Sequence, residues 1–74
     1  MRTIEKIYRE LSPGILIKEG DRVLLEDYYP TPTAFVWNAV NQVQKYASEL
    51  AGITLTAQEI ATVQSWVNQM KQEL

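Results

Sequence analysis

The chain has 74 residues, 7 Lys plus Arg against 9 Asp plus Glu, and neither His nor Cys. Without Cys or His it lacks disulfides, thiolate zinc sites, Cys nucleophiles, the usual triads and most transition-metal ligands. A net charge of −2 argues against general affinity for nucleic acid or anionic membrane.

One domain, residues 1–74, is all this length supports, and a domain so small buries only about 60% of its unfolded surface. Without a disulfide or metal to help, a partner subunit is the usual remaining support. No apolar leader opens the chain. The runs Ile15-Leu16-Ile17 and Val23-Leu24-Leu25 fall far short of the ~20 residues that span a bilayer. A cytoplasmic protein with no membrane insertion is therefore expected.

Residues 3–11 place Ile4, Ile7, Tyr8 and Leu11 at i, i+3, i+4 and i+7, with Thr3 as a possible N-cap, which predicts a short amphipathic helix. Ser12-Pro13-Gly14 then acts as a stop. From Ile15 to Glu26, two β-branched apolar runs flank Gly20-Asp21, predicting a β-hairpin. Glycine at the first turn position allows positive φ, and the register sets Glu19 opposite Arg22.

Asp27-Tyr28-Tyr29-Pro30-Thr31-Pro32 is a stiff, non-helical connector. Thr31 as N-cap with Pro32 at the first helical position opens a helix over 32–51, which Gly52 closes. Its expected apolar stripe is Val36, Val40, Val43, Ala47 and Leu50. Thr56-Ala57-Gln58-Glu59 has the form of a capping box, opening a helix over 57–73 with the stripe Ile60, Val63, Val67, Met70 and Leu74 running to the end. The short Gly-containing turn between the two helices predicts an antiparallel pair. The expected fold class is α+β: a short N-terminal helix, a two-stranded antiparallel β-hairpin, then an antiparallel pair of longer helices, in the order α-β-β-α-α. Besides the helix stripes, the expected core takes in Ile4, Ile7, Leu11, Ile15, Ile17, Val23, Leu25, Ile53 and Leu55.

Candidate chemistry is sparse. The acids Glu19, Asp21, Glu26 and Asp27 lack calcium-loop spacing, have Lys18 and Arg22 beside them, and read as surface charge. Glu26 and Asp27 point to opposite faces of a strand, so they form no facing dyad. The glycines stand singly at 14, 20 and 52 and make no phosphate cradle. No catalytic, cofactor-binding or metal residues are assigned, and the protein reads as non-enzymatic. A helix-turn-helix-like regulator is the alternative, yet the helix opening at Thr56 has no Lys or Arg before Lys71 to engage phosphate. Arg2, Lys6 and Arg9, at i, i+4 and i+7 of the expected first helix, make the only basic stripe.

Charge is unevenly distributed. Residues 1–32 hold 11 of the 16 charged side chains, whereas residues 33–74 hold 5 charges and all nine Asn and Gln. Protein contact surfaces lose charge and gain aromatics in this way. The expected function is a non-catalytic protein–protein interaction module, an accessory or regulatory subunit or an oligomer, docking through its C-terminal helical hairpin. Its partner is expected to be protein, either itself or a larger complex. The candidate partner-binding residues are Tyr28, Tyr29, Phe35, Trp37, Asn41, Gln44, Trp66 and Gln69.

Overall fold

Three strands precede two helices: β1 (Arg2–Arg9), β2 (Ser12–Glu19), β3 (Arg22–Tyr28), α1 (Pro32–Ala51) and α2 (Ala57–Glu73). The computed structural model describes residues 1–74 throughout. The strands form an antiparallel meander in the order β1-β2-β3, so the class is α+β with the order β-β-β-α-α.

The N-terminal segment is a strand and not the helix its apolar spacing predicts. Thr3, Ile4, Ile7 and Tyr8 are β-branched or aromatic and suit a pleated surface. Pairing with β2 decides the matter, because it bonds the backbone groups of every second residue from one end of that strand to the other. As a consequence Ile4 and Ile7 point to opposite faces of the sheet. Ser12-Pro13-Gly14 is likewise the start of β2 rather than a break. Pro13 carbonyl oxygen accepts from the Tyr29 amide at 2.8 Å. Its missing N–H faces the same residue, so the one reciprocal bond that proline cannot make falls at the very end of the ladder, just past β3.

The β2–β3 hairpin has the expected turn: Gly20 takes φ of 60° and Glu19 stands opposite Arg22. The register then shifts, with Lys18 opposite Val23 but Ile17 opposite Leu25, leaving Leu24 as the extra residue of a bulge. That shift sends Val23 outward, 50% exposed, where a core position was expected. The β1–β2 turn is carried by Glu10 and Leu11. Glu10 has φ of 57° without being glycine, a local strain of about 1 kcal/mol. Leu11, expected in the core, is exposed at its tip.

One face of the sheet meets the helices. Ile4, Ile17 and Leu25 lie in register across it, with Ile15 beside them, and Ile15 and Ile17 are fully buried. Against them α1 sets Phe35, Ala39, Val43 and Ala47, all at zero exposure. This stripe is rotated by about 50°, at ~100° per residue, from the one centred on Val36 and Val40. Those two valines are flanking residues, half-buried, and Leu50 is exposed in the last turn. Tyr29 reaches the core from the connector and meets Phe35 edge-on, with ring centroids 5.2 Å apart. Val63, Val67 and Met70 of α2 close the cluster from beside α1, with Leu55 from the interhelical turn.

Both helices are bounded as their caps dictate. Thr31 accepts from the Ala34 amide at 3.0 Å, with Pro32 in the first turn. Gly52 takes the left-handed conformation, φ 65°, and its N–H returns to the end of α1. The capping box is complete: Glu59 N–H donates to Thr56 Oγ1 at 3.1 Å, and Thr56 N–H donates to Glu59 Oε1 at 2.8 Å.

The outer face of the sheet is uncovered. There Tyr28 lies across Gly14, so a Cβ at position 14 would stand 2.6 Å from Asp27 oxygen and 2.7 Å from Tyr28 Cδ1. Gly14→Ala is expected to cost about 1–3 kcal/mol, read as a lower denaturant midpoint. The Tyr29 hydroxyl is buried without a hydrogen-bond partner. Tyr29→Phe should therefore leave stability unchanged or raise it by up to about 1 kcal/mol, whereas Tyr29→Ala should cost about 3–5 kcal/mol.

Candidate functional site

Two surface features are built by the tertiary fold: a cleft at one end of the sheet, and a strip along the helices that ends in a notch beside Trp37. The cleft, about 860 Å³, lies where the start of β1, the β2–β3 turn and the interhelical turn converge. Ile4, Leu24 and Ile53 provide its apolar lining, and Arg2, Glu19, Arg22 and Glu59 its charge.

Arg2 organises that end of the molecule. Its guanidinium donates through Nη2 to Glu59 Oε1 at 2.7 Å and through Nε to Oε2 at 3.0 Å, a two-pronged pair. Nη2 also donates to the Thr54 carbonyl at 3.1 Å. One side chain of the edge strand thus holds both the interhelical turn and the N-terminus of α2. Burial raises the Glu59 carboxyl pKa, but hydrogen bonds from Arg2 and the Thr56 amide outweigh it and hold the group below its ordinary 4.5. The same contact raises the Arg2 pKa, with desolvation opposing. Arg2 is paired with Glu59, and Glu19 lies 4.0 Å from the Met1 amino group, while Arg22 stands opposite Glu19 in the hairpin without an ion pair of its own.

The basic stripe expected on the first helix is dispersed by the strand geometry. Arg2 and Lys6 share the inner face while Arg9 lies on the outer one, its guanidinium 4.3 Å from the Tyr28 ring centroid and 3.7 Å from Glu26. Tyr28 hydroxyl donates to Glu26 at 2.9 Å, and this hydrogen bond is the first cause of its raised pKa. Asp27, on the opposite face from Glu26, accepts from Gln42 at 3.3 Å. No group of three or more acids is placed to hold a metal ion. No helix is long and apolar enough to cross a membrane.

The eight candidate partner-binding residues separate into distinct environments. Tyr29 and Phe35 are core residues and leave the contact surface altogether. They lie where the connector turns into α1, so the aromatic pair seals the sheet–helix joint. Tyr28 belongs to the outer sheet face with Arg9 and Glu26. Trp66 is half-buried and packs against the core. Trp37, by contrast, is 77% exposed. Asn41 and Gln44 follow it at i+4 and i+7 on the same flank of α1, with Gln44 donating to the Val40 carbonyl at 2.8 Å. Gln69 is exposed on α2.

Beside Trp37 is a notch of about 310 Å³ lined by Val36, Trp37 and Lys71. It exists because the antiparallel pairing brings the C-terminal turn of α2 to the first turns of α1. Sequence reading missed Lys71, since nothing local to the last turn of α2 relates it to a residue 34 positions earlier. Comparison with protein-family models, with curated proteins and with solved structures gives no match.

A carboxylate held below its ordinary pKa stabilises the fold above the unfolded value and loses that contribution as pH falls through the folded one. Between about pH 6 and about pH 3, the denaturant midpoint should therefore drop on the acid side of 4.5. Glu59→Gln and Arg2→Met should each flatten that drop. An acid limb equally steep in both variants would assign it to other carboxylates.

Proposed function

We propose that this protein is a non-catalytic interaction module that docks on another protein surface through its helical hairpin. The exposure of Trp37 is the observation that carries the reading. A tryptophan left 77% exposed keeps most of its apolar area in water, at a cost of roughly 25 cal/mol per Å². Trp is also among the residues that dominate interface energetics. Apart from Lys71, the helix surface around it offers neutral hydrogen-bonding groups in place of the Glu and Lys that normally solvate exposed helices.

The observations favour this over a DNA-reading helix pair. A recognition helix presents basic and amide side chains near its N-terminus, whereas the first turn of α2 carries Glu59, occupied by Arg2 and Thr56. On this reading the protein is an accessory or regulatory subunit that acts by occupying a surface, with no reaction of its own.

Trp37→Ala should change folding stability by no more than about 0.5 kcal/mol, yet weaken docking by at least about 2 kcal/mol. Purification of tagged wild type and Trp37→Ala chains from the native source, with bound proteins identified by mass spectrometry, checks this. A partner retained by wild type and lost by the variant is the expected result. A wild type that is strictly monomeric, with every bound protein also retained by the variant, would overturn the reading.

A further inference from the structure

We propose that the docking surface takes a second copy of this chain, the Trp37 indole of each molecule seating in the notch of the other. This rests on the interaction-module reading above and names its partner. A twofold contact requires a surface complementary to itself, and here a projecting side chain and a recess lie side by side. Trp37 projects from α1, and the notch beside it is lined by Val36, Trp37 itself and Lys71. An indole entering that notch meets the Val36 methyls, the face of the other indole and the Lys71 ammonium. These are an apolar contact, an aromatic pair and a cation–π contact respectively. The Val36 and Lys71 contacts are each made twice across the axis, and the indole pair, which lies on it, once.

Charge favours the same occupant. On the Trp37 flank of α1 the next residues are Asn41, Gln44 and Ser48, and on the Lys71 flank of α2 they are Asn68 and Gln64. Among these seven residues, counting Trp37 and Lys71, the only formal charge is Lys71. Two copies of a chain carrying net −2 therefore meet on a face without carboxylates, where like-charge repulsion is least. The lysine is placed to lie on the other copy's indole. Gln64 and Asn68 are already bonded to each other at 2.9 Å, which leaves amide donors and acceptors free to turn toward a neutral, amide-bearing surface such as their own.

Area sets the strength. The strip runs the length of a 20-residue helix, about 30 Å, and covers on the order of 500 Å² per copy. A total near 1,000 Å² is at the low end for specific interfaces. An interface of that size is of the weak, transient kind, so the dimer should appear only at elevated protein concentration.

Sedimentation of the full chain from about 10 μM to about 1 mM tests the proposal, with circular dichroism confirming that each variant is folded. Wild type should convert from monomer to dimer across that range. Trp37→Ala and Lys71→Glu should each weaken the dimer about 30-fold or more, while Lys71→Arg, which keeps the cation over the ring, should retain it. A wild type that stays monomeric to the highest concentration overturns the second copy as occupant. So does a dimer indifferent to both Trp37→Ala and Lys71→Glu, since it would use another face. The wider reading is judged separately: a monomer whose Trp37 is still required to retain a different protein sinks the self-association alone, and a monomer with no Trp37-dependent partner sinks both.

Discussion

The contact between the Phe35-Ala39-Val43-Ala47 stripe of α1 and the Ile15, Ile17 and Leu25 face of the sheet is the constraint on which the other features depend. All four helix residues are fully buried. Alanine alternates with a larger side chain along the stripe, so the helix backbone approaches the strands closely while Phe35 and Val43 fill the space between turns. Fully burying a side chain of the size of Phe, Ile or Leu contributes roughly 1.5–3 kcal/mol, so these few residues supply much of what orders the chain. Once α1 is seated, α2 has one place to go. It packs alongside α1 and reaches the sheet edge through the bond between Glu59 and Arg2.

That arrangement leaves the molecule two-sided. The outer face of the sheet carries Arg9, Glu26 and Tyr28, linked to one another, beside the apolar Ile7, Leu16 and Val23, and charged side chains along β1 discourage further strand pairing at that edge. The helical side has little charge to offer and sets a large aromatic in water. A chain of 74 residues has a core too small to shelter both tryptophans: Trp66 is drawn partly into the cluster, and Trp37 is not. The uneven distribution of charged residues along the sequence thus becomes a division between a more highly charged sheet surface and a charge-poor helical one.

How far the residues announced this outcome depended on the range of the interaction involved. The helix limits at Thr31, Gly52 and Thr56 and the Gly20 turn were all legible, because each is decided by groups within a few positions of one another. The N-terminal strand was not. Ile4, Ile7 and Tyr8 satisfy helical spacing as well as strand propensity, and only the bonds to β2 separate the two. The α1 stripe that the valines mark out lies about half a residue away from the buried one. Alanines 39 and 47 bury as completely as the valines do but stand out less in a hydrophobic pattern. Among the candidate contact residues, Trp37, Asn41 and Gln44 proved to share one flank, whereas Tyr29 and Phe35 were drawn inward by each other.

The amino-acid order by itself determined the caps, the hairpin turn, the absence of thiol and imidazole chemistry, and the concentration of amides in the second half. These are properties of composition or of contacts between near neighbours. Which strand edge β1 occupies, which way α1 is rotated, that Lys71 stands beside Trp37 and that Arg2 meets Glu59 57 positions away were decided only by the tertiary structure. Each of those depends on burying apolar area between distant segments, and that burial is a property of the packed whole rather than of any stretch of chain.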